Sequence, residues 1–161
     1  MHPPYNNRNA DISAAHTSFR APSQEAYLRL LAAASRLSRQ VDELLRTFGI
    51  SQPQYNVLRI LAGADSAGLG RNEIAARMIA TTPDMTRLLN RMAEKGWVHR
   101  ERGAQDRREV PTTLTEPGRE LLQRIDRPLE ALHLQQFAAF GEGGDGAFLR
   151  SLRVLAGVDG V

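Results

Sequence analysis

Apolar residues recur along this chain mostly at steps of three and four, and glycine, proline and polar clusters punctuate the runs. That pattern belongs to successive amphipathic helices. The longest stripe, Tyr27, Leu30, Leu31, Ala34, Leu37, Val41, Leu44, Leu45 and Phe48, predicts a helix capped by Ser23 and ended by Gly49. Ser51-Gln52-Pro53-Gln54 has the spacing of a capping box and launches a helix through Leu61, with Val57, Leu58 and Leu61 inward. A short helix over Asn72–Met78 turns Ile74, Ala75 and Met78 inside. After the turn Ile79-Ala80-Thr81, the run TTPDMTRLLNRMAEK predicts a further helix, with Thr82 as N-cap and Pro83 at its first position. Met85, Leu88, Leu89 and Met92 share its inner side, while Asp84, Arg87, Asn90 and Arg91 share the outer one. Gly96 closes it.

Here the pattern changes. Trp97–Arg102 and Glu109–Leu114 read as two strands around a polar hairpin running from Arg100 to Glu109. Pro111 cannot donate to a ladder, so the returning strand is expected at an edge, or with the proline's N–H position facing solvent. Thr115 caps a helix that opens on Glu116-Pro117 and carries Leu121, Leu122, Ile125, Leu129 and Leu132, with Phe140 at its far end. Pro128 predicts a kink or interruption in it. Gly141–Gly146 is a glycine-rich break before a last helix, Ala147–Ala156, with Phe148, Leu149, Leu152 and Leu155 on one side. The predicted fold is mainly α with a small β-wing.

Composition narrows the chemistry. The chain has 161 residues, 42% of them hydrophobic, which suits one domain with a real core. Its net charge is +3, a mild preference for an anionic partner. Lys95 is the single lysine among 21 basic residues; arginine suits bidentate phosphate and guanine contacts, and GC-rich coding gives the same bias. With no cysteine, disulfides, thiolate catalysis and zinc–thiolate sites are excluded. No apolar run approaches the roughly 20 residues a membrane span needs, and the N-terminus lacks the pattern of a signal peptide. A cytoplasmic protein is expected. Residues 1–22 are polar and aperiodic and read as a flexible arm.

Catalysis finds no support. His2, His16, His99 and His133 are scattered outside any ligand spacing, and no serine sits in a G-x-S-x-G frame. The glycine-rich stretch Gly63–Arg71 lacks the Gly-Lys-Ser/Thr of a phosphate loop and reads as a connector. No enzyme, metal or cofactor is expected.

The predicted order of helix, turn, helix and basic hairpin is that of a winged helix-turn-helix. Arginine can donate two parallel bonds to guanine, and threonine can bond a phosphate or touch a thymine methyl. Adjacent arginines at a hairpin tip suit phosphates and the minor groove. On these residues the chain resembles the MarR family of transcriptional regulators. The likeness lies in TTPDMTRLLNRMAEKGWVHRER, in the wing motif Asp106-Arg107-Arg108, in Leu114-Thr115-Glu116-Pro117-Gly118, and in Ile50–Leu58. It covers most of residues 25–155 and is densest from 50 to 120. The glycine frequent in the family's turn is missing here.

That resemblance implies a winged helix-turn-helix domain at 50–115, flanked by dimerisation helices at 23–48 and 116–161. It implies a homodimer on a near-palindromic operator of double-stranded DNA, usually released by a small molecule or an oxidant. Cysteine-based peroxide sensing is ruled out by composition. Thr82, Asp84, Thr86, Arg87 and Arg91 are expected to dock the recognition helix, although Asp84 can instead hold Arg87 one turn on. By the family match Asp106 orients the wing, Arg107 contacts the backbone, and Arg108 enters the minor groove or meets a phosphate. Relatives bind small aromatic acids or phenolics between the dimerisation helices and the winged domain. Tyr27, Arg46, Tyr55 and His133 are the candidates for such a cleft, each with a packing role as the alternative. The expected function is a DNA-binding transcriptional regulator, a ligand-released repressor. The alternative is a winged-helix protein–protein adaptor, which the basic wing and helix arginines disfavour. Nonspecific architectural binding is disfavoured by the modest charge.

Overall fold

The computed structural model describes residues 21–100, 111–141 and 144–157. Helix α1 spans Pro22–Thr47, α2 Gln52–Ala62, α3 Arg71–Arg77 and α4 Met85–Glu94. Strands β1, Val98–Arg100, and β2, Thr112–Leu114, precede α5, Glu116–Phe137, a single 3-10 turn over Ala138–Phe140, and α6, Gly144–Leu155. Two compact units divide after Ser38. In the first, α1 already begins at Pro22, so Ser23 lies inside the first turn and does not cap it. Proline needs no partner for an amide there, which suits it to a helix start. Tyr27 is 61% exposed and Leu31 49%, so the N-terminal part of the apolar stripe stays open to solvent.

The second unit holds the core. Leu45, Ile50, Val57, Leu58, Ile74, Leu89, Met92, Val98, Leu122 and Ile125 are all buried, and they come from α1 through α5. Of the predicted inward positions of α2, α4 and α5, Val57, Leu58, Leu61, Met85, Leu89, Met92, Leu121, Leu122, Ile125 and Leu129 are buried, while Leu88 and Leu132 are only partly so. In α3, Ile74 is buried and Met78 partly so, but Ala75 is exposed. In so short a helix one residue, Ile74, faces the core, and its neighbour is rotated about 100° away from it. At α2 the capping box forms as expected: the Ser51 N–H donates to Gln54 Oε1 at 3.1 Å. Gly49 takes φ +71 at the end of α1, as the sequence requires.

The strands pair antiparallel in the register Val98↔Leu114, His99↔Thr113 and Arg100↔Thr112. Leu69 flanks the returning strand at Thr112, so of the two arrangements Pro111 allowed, the open edge is not the one found there. Thr112 also exchanges backbone bonds with Leu69, donating at 2.9 Å and accepting at 3.0 Å. Pro111 lies one residue before the ladder, so its missing N–H costs no pairing. The glycine-rich connector therefore supplies a third rung. Gly68, at φ +77, makes that possible, because a Cβ there would lie 2.6 Å from the Thr112 carbonyl oxygen. The hairpin tip, 101–110, lies outside the described residues.

Thr115 joins the sheet to α5. Its Oγ1 accepts from the Gly118 N–H at 3.2 Å and donates to the Gly96 carbonyl at 2.6 Å. Pro128 does not interrupt α5, which runs on to Phe137. Buried Ile125 and Leu129 anchor it on either side of the proline. Helix α6 starts at Gly144, earlier than the predicted Ala147. Phe148 stacks on Phe140 with ring centroids 4.9 Å apart, beside Phe137 at 6.4 Å. This aromatic packing holds helical a stretch whose glycines disfavour it.

Candidate nucleic-acid interface

Helices α3 and α4 are joined by Met78–Asp84, a longer connection than the sequence suggests. The difference is the start of α4. Thr82 and Pro83 do not open it; Asp84 is the N-cap, its carboxylate accepting from the Arg87 N–H at 2.9 Å. Aspartate caps better than threonine and its charge favours the positive helix end. Thr82 is half-buried in the turn. The turn is pinned to α2 where the Ile79 N–H donates to Asn56 Oδ1 at 3.0 Å.

Met85, Leu89 and Met92 anchor one side of α4 in the core. The opposite side presents Thr86, Arg87, Asn90 and Arg91 to solvent. Among the described residues Arg87 and Arg91 enter no ion pair, which leaves two guanidinium groups free for an external anion. Lys95 is engaged elsewhere. Its Nζ donates to the Gly49 carbonyl at 3.0 Å and sits 4.3 Å from the Trp97 ring centroid, so it fastens the end of α4.

Sequence reasoning missed Arg100 and Arg71. Arg100, at the end of β1, donates from Nη1 to Asn90 Oδ1 on α4. Burial, and secondarily the charge of Arg71, pull the Arg100 pKa below its ordinary value. Arg71 opens α3 and donates to Asn72 Oδ1 at 3.0 Å. The signal for Arg100 was its register opposite Thr112, which only the pairing defines. Of the expected docking residues, Thr86, Arg87 and Arg91 share one face, and Asp84 sits at its edge as the cap. Asp106, Arg107 and Arg108 lie outside the described residues.

A cavity of about 480 Å³ lies beside the turn, lined by Tyr55, Arg59, Met78, Thr82, Leu129 and His133 among others. Tyr55 and His133 are thus brought together. Burial raises the Tyr55 phenol above its ordinary value, with Arg59 partly opposing and Asp126 adding to the shift. Arg46 is exposed and does not line this cavity. Tyr27 belongs to the unit before Arg39. Among the described residues, no three His, Asp or Glu side chains are grouped to hold a metal, and no helix is long and apolar enough to cross a membrane.

An outward basic helix after a short helix and turn, with a two-stranded hairpin behind it, defines a winged helix-turn-helix protein. Comparison with known proteins agrees. The MarR family model matches residues 50–110. A MarR transcription factor from Planctomyces limnophilus is 31% identical, covering 85% of this chain and 99% of that one, with a TM-score of 0.67. The regulator PrsX of Escherichia coli is 32% identical over 106 residues, 65% of this chain. This chain spans 64% of that relative's length. A MarR family regulator from Streptomyces coelicolor, solved in complex with DNA, shares the fold at a TM-score of 0.75 and 24% identity, covering 86% of this chain and 88% of that one. The chain belongs to the MarR family of transcriptional regulators. Its relatives are regulators, not enzymes.

Proposed function

We propose that this protein is a cytoplasmic, homodimeric repressor that binds a near-palindromic operator and releases it when a small aromatic or phenolic ligand binds. One observation carries the DNA reading: the exposed face of α4, where Thr86, Arg87 and Arg91 stand opposite the buried Met85, Leu89 and Met92. A helix so presented enters a major groove without disturbing the core, and its arginines can reach phosphates or guanine edges. Asp84 acts there as the cap that sets the direction of α4, and Asp106, Arg107 and Arg108 serve the wing as the family match implies. The domain boundaries follow the same division: an arm to residue 22, a DNA-binding domain at 50–115, and dimerisation helices on both sides.

Dimerisation is supported by unburied apolar residues on the flanking helices. Leu134 is 70% exposed, Val154 66% and Leu155 73%, apolar side chains that a second copy could cover. Ligand release is supported by the cavity beside the turn. Its occupant would touch α2, α5 and the Met78–Thr82 segment that leads into α4. A planar acid fits the chemistry of Tyr55, Arg59 and His133.

The test is a titration with duplexes enriched by the protein from a random-sequence pool, against an unselected duplex, at several salt concentrations. Tight binding to the enriched duplex alone, weakening steeply with salt, is expected. Arg108→Ala should weaken it by about 1–3 kcal/mol without unfolding the chain. Equal weak binding to both duplexes would mean a nonspecific binder. No binding at low salt would favour the protein–protein adaptor.

A further inference from the structure

Arg71, Arg100, Asn90 and Thr112 come together where α3 begins, β1 ends and α4 turns its outer face. The sheet places them. Arg100 is opposite Thr112, and Thr112 is bonded in turn to Leu69, two residues before Arg71. Both backbone groups of Thr112 are spent on Leu69, so Arg100 and Thr112 form a non-hydrogen-bonded pair. Such pairs approach more closely, and their side chains share a face.

Each arginine is oriented by a neutral amide, Asn90 for Arg100 and Asn72 for Arg71. An amide oxygen aims a guanidinium and cancels none of its charge. Among the described residues neither arginine has a carboxylate within ion-pair distance. Arg100 Nε and Thr112 Oγ1 are both buried without a partner. Arg71 is near enough for its charge to act on Arg100, so two like charges lie in each other's field with donor capacity in hand, an arrangement that an anion would relieve.

We infer that Arg71 and Arg100 form a two-armed seat for one backbone phosphate of DNA at the base of the wing, with Asn90 holding Arg100 in place. This rests on the DNA-binding reading above. A phosphate offers enough oxygens to accept from both guanidinium groups at once. The contact reads no base; it fixes how α4 sits along the groove, because Asn90 belongs to α4 itself. Asn90 is then a positioning residue, occupied by Arg100 rather than free to pair with adenine.

The experiment uses the enriched duplex with the wild-type chain, Arg71→Gln, Arg100→Gln and the double variant, each titrated across salt concentration. One phosphate contact contributes about 0.9 to the slope of log affinity against log salt. Because both arms serve one phosphate, the double variant should lose about 0.9 in slope, and each single variant no more than that. A double variant with unchanged slope overturns the seat. So does a loss of about 1.8, which means two separate phosphates. Thermal melting checks folding; if Arg100→Gln melts early, the exposed Arg71→Gln decides alone, and an affinity equal to wild type at every salt concentration overturns the seat. If the wild-type chain binds no duplex at low salt, the DNA-binding reading itself falls.

Discussion

Asp84 separates a structural role from a DNA contact, since the two respond oppositely to the same substitutions. Its carboxylate satisfies the Arg87 N–H at 2.9 Å, one of the amides that the first turn of α4 leaves without a helical partner. Replacing an N-cap aspartate by alanine costs about 0.5–2 kcal/mol, typically about 1. Asparagine caps equally well, so Asp84→Asn should lose only the interaction of the charge with the helix dipole, about 0.3–1 kcal/mol. In a chain of 161 residues, 1 kcal/mol moves the melting temperature by about 2–4 °C. Asp84→Ala should therefore melt a few degrees below wild type, with Asp84→Asn between them, and the Arg87 amide should exchange faster in the alanine variant. Operator affinity gives the second readout. Fraying the first turn displaces Thr86 and Arg87, so Asp84→Ala weakens binding. Asp84→Asn keeps the turn and removes a negative charge near phosphates, so it binds at least as well as wild type. If Asp84→Asn weakened binding as much as alanine, the carboxylate would be a contact and the capping argument would be refuted.

Two other substitutions test the frame behind the interface. At Gly118 a Cβ would lie 2.2 Å from the Trp97 carbonyl oxygen and 2.8 Å from Leu114 Cδ1. Backbone cannot yield as a flexible side chain does, so Gly118→Ala should lose about 1–3 kcal/mol or more in denaturant titration; wild-type stability would contradict this packing. Tyr55 concerns pH. Its pKa is raised above 10.0, so the folded state keeps the proton longer than the unfolded chain. Stability from this group is full below 10.0, the unfolded value, and is lost as pH rises from there through the higher folded one. Tyr55→Phe should flatten that alkaline decline, and an identical pH profile for both proteins would show that the phenol is not buried as described.

Much of this protein was legible before any coordinates. Periodicity marked the buried sides of α2, α4 and α5, because a helix with a 3.6-residue repeat must place Leu58, Leu89 or Ile125 on whichever face meets the core. Local chemistry was equally readable where it closes within a turn: the Ser51–Gln54 box, the Thr115 cap and the positive φ at Gly49 and Gly96. The outward arginines of α4 followed from the same period. What needed the tertiary structure were outcomes decided between distant segments. Asp84 and Thr82 both cap well, and the sequence did not show which one the pinned turn would leave at the helix start. Pro111 looked like an edge because nothing local to it reveals that Leu69 comes alongside Thr112. Gly144 and Gly146, read from sequence as part of a break, lie in α6 beside the packing of Phe137, Phe140 and Phe148. Likewise Arg100 is an ordinary strand residue in sequence, and only the fold sets it against Thr112 and Asn90, where it takes the role proposed for it. Short-range hydrogen bonds and helical period are properties of a few neighbouring residues, whereas strand pairing and charge proximity exist only once remote segments meet.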